Sequence, residues 1–154
     1  MFIISRCLLG VNCKYNGGNN LCEDVVEFSK GHSYVTICPE CAGGLCIPRE
    51  PAEIIGQSDG NEMPRVIDRN GIDRSAAFVR GAEISLQEVL DEAVRREEPL
   101  EGAILKARSP SCGIGMIYDG TFSGSLTPGD GIFARMLRER GIPLMSEEVF
   151  RREQ

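Results

Sequence analysis

The sequence predicts an α/β domain built on a mostly parallel sheet, with long loops at the C-terminal ends of the strands. Two patterns carry that expectation. Short apolar runs alternate with amphipathic stretches of helical period, as in strand–helix–strand units. Three of the apolar runs lead into loops rich in glycine, asparagine, serine or proline, and each loop begins with or contains a cysteine.

The first run, Phe2-Ile3-Ile4-Ser5, reads as a buried strand that ends near Cys7. Residues 8–20 hold too much glycine and asparagine for an element, and a loop of that length in a small domain is usually functional. A helix is expected from about Leu21 to Lys30, with Val25, Val26 and Phe28 on its apolar side and Gly31 as its stop. Tyr34-Val35-Thr36-Ile37 is the second strand and runs into Cys38. An extended Pro/Gly segment is expected to follow, as far as Pro51. Arg65–Asp68 and Ile72 flank Arg69-Asn70-Gly71, a turn signal that predicts a small hairpin.

From about Asp73 to Glu97, Val79, Ala82, Leu86, Val89, Leu90 and Ala93 recur at three- and four-residue steps, the apolar stripe of a helix. Asp73 or Ser75 can cap its start and Pro99 closes it. Gly102–Lys106 is the third strand, and Arg108–Gly115 the third long loop. Gly131–Arg140 reads as a helix with Ile132, Phe133, Met136 and Leu137 inward. Pro143-Leu144-Met145 is a short last strand, and Ser146 caps a terminal helical turn.

The 154 residues amount to one domain's worth of core, so one domain over 1–154 is expected. Lysine and arginine number 17 against 23 acidic residues, a formal charge of −6 that argues against a broad nucleic-acid footprint. No stable nucleic-acid partner is expected. No stretch approaches the roughly 18 apolar residues of a membrane span, and the first residues lack the pattern of a secretory signal. A cytoplasmic protein without a membrane partner is the expectation.

Seven cysteines are the informative feature: Cys7, Cys13, Cys22, Cys38, Cys41, Cys46 and Cys112. An odd number leaves any disulfide framework incomplete, and clustered thiols in a reducing compartment point to metal or redox chemistry. Strand-to-helix loops of a parallel sheet gather at one edge, so Cys7/Cys13, Cys38/Cys41 and Cys112 are expected to converge. A zinc site would want two short Cys-x-x-Cys pairs, and the chain has one; its single histidine, His32, precedes the second strand. Irregular spacing over several loops suits an iron–sulfur cluster. Cys38-Pro-Glu-Cys41 could also serve as a thiol–disulfide pair, although its extended context lacks a clear helix N-terminus. There is no phosphate-binding Gly-Lys-Ser/Thr loop, and Gly113-Ile-Gly115 lacks the third glycine of a dinucleotide fingerprint.

Several longer motifs stand in order along the chain. They are Cys7-Leu-Leu-Gly-x-x-Cys13-x-Tyr15-x-Gly17, Cys38-Pro-Glu40, Gly43-Gly-Leu-x-x-Pro48-Arg49-x-Pro-Ala-Glu53-Ile, Leu105-Lys106-x-x-Ser109-Pro-Ser-Cys112-Gly113 and Tyr118-Asp-Gly-Thr-Phe-Ser-Gly124. Together they resemble the thiouracil desulfidase family over almost the whole chain. The resemblance implies a Rossmann-like three-layer domain and a [4Fe–4S] cluster bound by three cysteines. The fourth iron would capture the sulfur of a thiolated pyrimidine, water would replace that sulfur, and sulfide would be released. Cys7, Cys13 and Cys112 are the expected cluster ligands, with Cys38 as the alternative to Cys13. Glu40 is the expected general base, with Glu50 and Glu53 as rival carboxylates, and Ser109 positions the substrate or donates to it. Arg49, Lys106 and Ser111 are the expected substrate contacts. A non-enzymatic metal-binding module and a Cys38/Cys41 redox protein are the competing functions.

Overall fold

The computed structural model describes residues 1–56 and 64–153. In chain order the elements are β1 (Phe2–Ser5), a 3₁₀ turn (Arg6–Leu9), α1 (Glu23–Lys30), β2 (Tyr34–Ile37), α2 (Pro39–Ala42), β3 (Ala52–Ile55) and β4 (Arg65–Asp68). There follow α3 (Ser75–Arg96), β5 (Gly102–Leu105), β6 (Met116–Tyr118), β7 (Leu126–Pro128), α4 (Ile132–Glu139), β8 (Leu144–Ser146) and α5 (Glu147–Glu153).

β2, β1, β5 and β8 form a parallel sheet in that spatial order. The two central strands are buried on both faces, and their side chains alternate between two cores. Ile3, Ala103 and Leu105 join Phe78, Val89, Phe133 and Leu137 on one side, beneath α3 and α4. Ile4 and Ile104 join Val25 and Phe150 on the other, beneath α1 and α5. Continuous apolar runs of four residues thus dictate a sheet covered on both faces, and the architecture is three-layered.

The chain leaves β1 through α1 to reach β2 on one side, and leaves β5 through α4 to reach β8 on the other. The winding reverses between β1 and β5, which opens a crevice beyond their C-terminal ends. Cys7 follows β1 and Cys112 follows β5 at this point.

Three parts differ from the sequence reading. The segment after Cys38 is helical and not extended: Pro39 occupies the first turn of α2, where its missing N–H costs nothing. The Asn70-Gly71 turn forms, but β4 pairs with β3, and the strand expected beyond the turn shrinks to a single bridge between Ile67 and Asp73. The Asp68 carboxylate closes the turn by accepting the N–H groups of Asn70 and Ile72, and α3 starts too soon for a strand to extend. The β6–β7 pair, in a stretch to which the sequence assigns no element, is a second small hairpin.

α2 lies directly on α3 through two glycines. A Cβ at Gly81 would fall 1.8 Å from the Pro39 carbonyl oxygen, and one at Gly43 would fall 2.1 Å from that of Ala77. This contact fixes the position of Cys38-Pro39-Glu40.

Candidate active site

A cavity of about 450 Å³ opens at the C-terminal edge of the sheet, and Cys7, Cys13, Cys38 and Cys112 all lie on its wall. Each thiol arrives by a different device. Cys7 sits in the 3₁₀ turn that continues β1. Cys13 is carried by the following loop, which is tied back by the Asn20 N–H to the Cys7 carbonyl at 3.0 Å. Cys38 is the residue before α2. Cys112 belongs to a tight turn in which Ser109 Oγ accepts the N–H groups of Ser111 and Cys112, each at 3.1 Å. That turn is wedged against the start of α4, since a Cβ at Gly131 would meet the Ser111 carbonyl carbon at 2.4 Å.

The thiols influence one another. Cys13 donates a hydrogen bond to Cys38, which draws Cys38 below the ordinary thiol range and, with burial, pushes Cys13 up. Burial also raises Cys7 and Cys112, and both feel the charge of Cys38. Cys41 is pushed up to about 11, by burial and then by its hydrogen bond with Cys38. The Sγ atoms of Cys38 and Cys41 both stand 4.0 Å from the Cys13 carbonyl oxygen.

Glu40 lines the cavity from the first turn of α2. Burial pushes its carboxyl above the ordinary carboxylate range, although the Arg49 guanidinium beside it works in the opposite direction. Arg49 Nε donates to Glu40 Oε1 at 3.1 Å, and its other nitrogens donate to the carbonyls of Cys13 and Cys46 at 2.9 and 3.3 Å. Lys106 Nζ donates to Glu147 Oε1 at 2.8 Å and to the Ala107 carbonyl at 3.1 Å. Glu147 also accepts the Ala107 N–H, so the start of α5 holds this side of the cavity. Arg6, Lys14, Arg69 and Arg108 bring further positive charge to the wall.

The model of a family described as 2-thiouracil desulfurase matches residues 2–149. The chain belongs to the 2-thiouracil desulfurase family. A family relative, the protein YbbK of Bacillus subtilis (strain 168), is 37% identical over 150 residues, which span 96% of this chain and 95% of that one. The solved structure of a [4Fe-4S]-dependent thiouracil desulfidase, TudS, superimposes with a TM-score of 0.79 at 36% identity, over 96% of this chain and 90% of that one.

Within this 2-thiouracil desulfurase fold, Cys7, Cys13, Cys112, Glu40, Ser109, Arg49 and Lys106 all meet at one cavity. Ser111 does not line it. Its hydroxyl is buried without a hydrogen-bond partner at ordinary distance, yet it lies close enough to Glu40 to favour the charged carboxylate. Of the rival carboxylates, Glu50 is exposed away from the cavity, whereas Glu53 is on the wall with Oε1 occupied by two backbone N–H groups. Cys46 is exposed, and Cys22 is buried between α1 and α5, where Arg151 donates to its sulfur. Sequence reasoning passed over Phe122 and Arg108 as wall residues. Both have positive φ, 56° and 65°, in loops whose shape no periodicity encodes.

Proposed function

We propose that this chain is a [4Fe–4S]-dependent thiouracil desulfidase, converting the C=S of a thiolated pyrimidine to C=O and releasing sulfide. The observation that carries the reading is the convergence of four thiols and a carboxylate, from separate segments, on one cavity of a 2-thiouracil desulfurase fold. The donor set fits such a cluster: soft thiolates on several loops, with Arg49 near Cys38 and Lys106 near Cys7 to offset negative charge.

Cys7, Cys38 and Cys112 would hold the cluster. The sequence favours Cys13 for the third position, but two features support Cys38. It directly follows β2, which pairs with β1, as Cys7 follows β1, and it stands with Cys7 and Cys112 on the cavity wall. Cys13 then serves as a hydrogen-bond donor to the Cys38 sulfur. Three protein thiolates would leave one of four irons without a protein ligand, and the bound cluster would supply a Lewis acid for the thiocarbonyl sulfur.

The remaining work falls to the chain. Glu40, held by Arg49, takes a proton from the water that attacks the ring carbon. The water oxygen stays on the ring, and its two protons leave with the sulfide. Ser109 Oγ accepts two backbone N–H groups and keeps its own O–H to donate towards the substrate. Arg49 and Lys106 are engaged by protein acceptors and shape the wall around the substrate. The substrate is a small molecule, because a net charge of −6 disfavours an extended phosphate backbone. No helix among the described residues is long and apolar enough to cross a membrane. All seven cysteines are free, which suits the reducing cytoplasm.

Anaerobic reconstitution with iron and sulfide, followed by incubation with thiouracil, tests the reading. The protein should turn brown, bind roughly four irons per chain and release sulfide in step with uracil. A colourless protein that takes up zinc and no iron would overturn it in favour of a metal-binding module. Iron-free turnover dependent on Cys41 would point to the redox pair.

A further inference from the structure

The Tyr118–Gly124 motif has no part in the chemistry above, yet it reaches the cavity: Tyr118, Phe122 and Gly124 are on the wall. The turn between β6 and β7 that carries Phe122 is built to hold one shape. Asp119 Oδ1 accepts the Thr121 N–H at 3.0 Å and its hydroxyl at 2.6 Å, and the hydroxyls of Thr121, Ser123 and Ser125 form a chain. Gly120 packs on β3 so closely that a Cβ there would stand 2.6 Å from Ile55 Cγ2 and 2.9 Å from the Ile54 carbonyl oxygen. From the same strand, Glu53 Oε1 accepts the N–H groups of Gly120 at 3.0 Å and of Phe122 at 3.2 Å. Phe122 itself has φ 56°, an uncommon conformation for a bulky side chain, and these bonds hold it there.

Phe122 also differs from the other phenylalanines. Phe78 and Phe133 are in the core under α3 and α4, Phe28 and Phe150 belong to the core under α1 and α5, and Phe2 packs edge-on against Phe28. Phe122 joins neither core and borders the cavity half-buried. A planar pyrimidine offers two aromatic faces, and an aromatic ring on the wall is the group that recognises such a face independently of the thiocarbonyl.

The geometry points to Phe122 as a specificity-determining residue that stacks on the pyrimidine ring, with Glu53 as the positioning residue that fixes its turn. This rests on the desulfidase reading. It distinguishes planar aromatic thioamides from saturated ones, which present no face to stack on. It also gives Glu53 Oε1 a structural task, since that oxygen is committed to the turn.

Replacing a stacking aromatic by a non-aromatic residue costs roughly 5- to 100-fold in affinity. In the reconstituted holoprotein, Phe122→Leu keeps an apolar side chain and loses the aromatic face. It should raise the KM for thiouracil and the inhibition constant of uracil together, about tenfold or more. The iron content should stay at parent level, and kcat should change much less than KM. Phe122→Tyr should restore both constants. Glu53→Ala should raise KM as Phe122→Leu does, and Glu53→Gln, whose amide oxygen can still accept both N–H groups, should lie near the parent. Equilibrium binding of uracil to the same proteins, followed by NMR, gives a readout independent of turnover. Phe122→Leu with parent iron content, parent KM and parent uracil affinity would overturn the inference. A parent that binds uracil through Phe122 and releases no sulfide would leave the stacking role standing and refute the desulfidase reading.

Discussion

Glu40, the proposed base, shows how the fold holds a single side chain in place. Its carboxyl is mostly buried, paired with Arg49 at 3.1 Å, and two residues beyond Cys38. Thiolates hold iron, so Glu40→Gln should keep the brown chromophore and full iron content. Gln preserves the shape but cannot take a proton from water, and turnover should fall by about 10²–10⁴-fold. Glu50→Gln, at an exposed position outside the cavity, should behave as the parent; iron determination and sulfide release on the two variants check both statements. The thiols separate in the same way. Cys7→Ser, Cys38→Ser and Cys112→Ser should each prevent stable cluster incorporation, because each removes a proposed ligand. Cys13→Ser retains a hydroxyl that can donate to the Cys38 sulfur and should keep its iron. The reverse pattern, iron lost from Cys13→Ser and kept by Cys38→Ser, would return the third position to Cys13. Which residues border the cavity was mostly legible in the sequence at this scale, but direction was not. Nothing in the order of residues revealed that Ser111 points into the protein beside Glu40, or that Glu53 is tied to a turn.

The elements bring these residues together through contacts that sequence patterns barely register. α2 is four residues long and rests on α3 with no room for a side chain at Gly81. Gly81→Ala is far from the chemistry, yet it must push Pro39 away and carry Cys38 and Glu40 with it. Overpacking of this kind costs about 1–3 kcal/mol, so Tm should drop by several degrees, with a loss of iron retention larger than that drop alone implies. Scanning calorimetry and iron analysis of the one variant check this. The turn between β4 and α3 makes a pH-dependent contribution. Asp68 is buried, which opposes its charge, but the N–H groups of Ile72 and Asn70 and the Arg74 guanidinium outweigh burial and hold its carboxyl below the ordinary aspartate range. A folded-state pKa below the unfolded value of about 3.9 stabilises the fold above that pH, and the contribution disappears as pH falls through the folded value. Asp68→Asn should therefore lower Tm at pH 7, and the gap from the parent should close below about pH 4. A gap independent of pH would assign the loss to shape and not to charge. The Asn70-Gly71 signal correctly marked this turn but assigned β4 the wrong partner, because β3 is remote in sequence and short.

At the scale of the whole molecule, the reversal of winding between β1 and β5 decides where chemistry can occur. Apolar runs of four residues were enough to read the central strands, and their alternation with helices was enough to read the parallel, three-layered sheet. From that topology Cys7/Cys13, Cys38/Cys41 and Cys112 are expected to converge, since their loops succeed strands at one edge; all but Cys41 line the cavity. The wall opposite such an edge is made of hairpins and turns. Their packing depends on single glycines and on carboxylates that accept backbone N–H groups, which no periodicity encodes; hence α2, the β6–β7 hairpin and Phe122 were not read. The central claim is that the thiols and Glu40 together replace sulfur by oxygen from water. Reconstituted protein incubated anaerobically with thiouracil in ¹⁸O-enriched water, with uracil analysed by mass and sulfide quantified, tests it most directly. The account predicts one labelled oxygen in each uracil and one sulfide for each uracil formed, with neither product when iron is omitted. Uracil without the label, or sulfide formed equally by the iron-free protein, would contradict it.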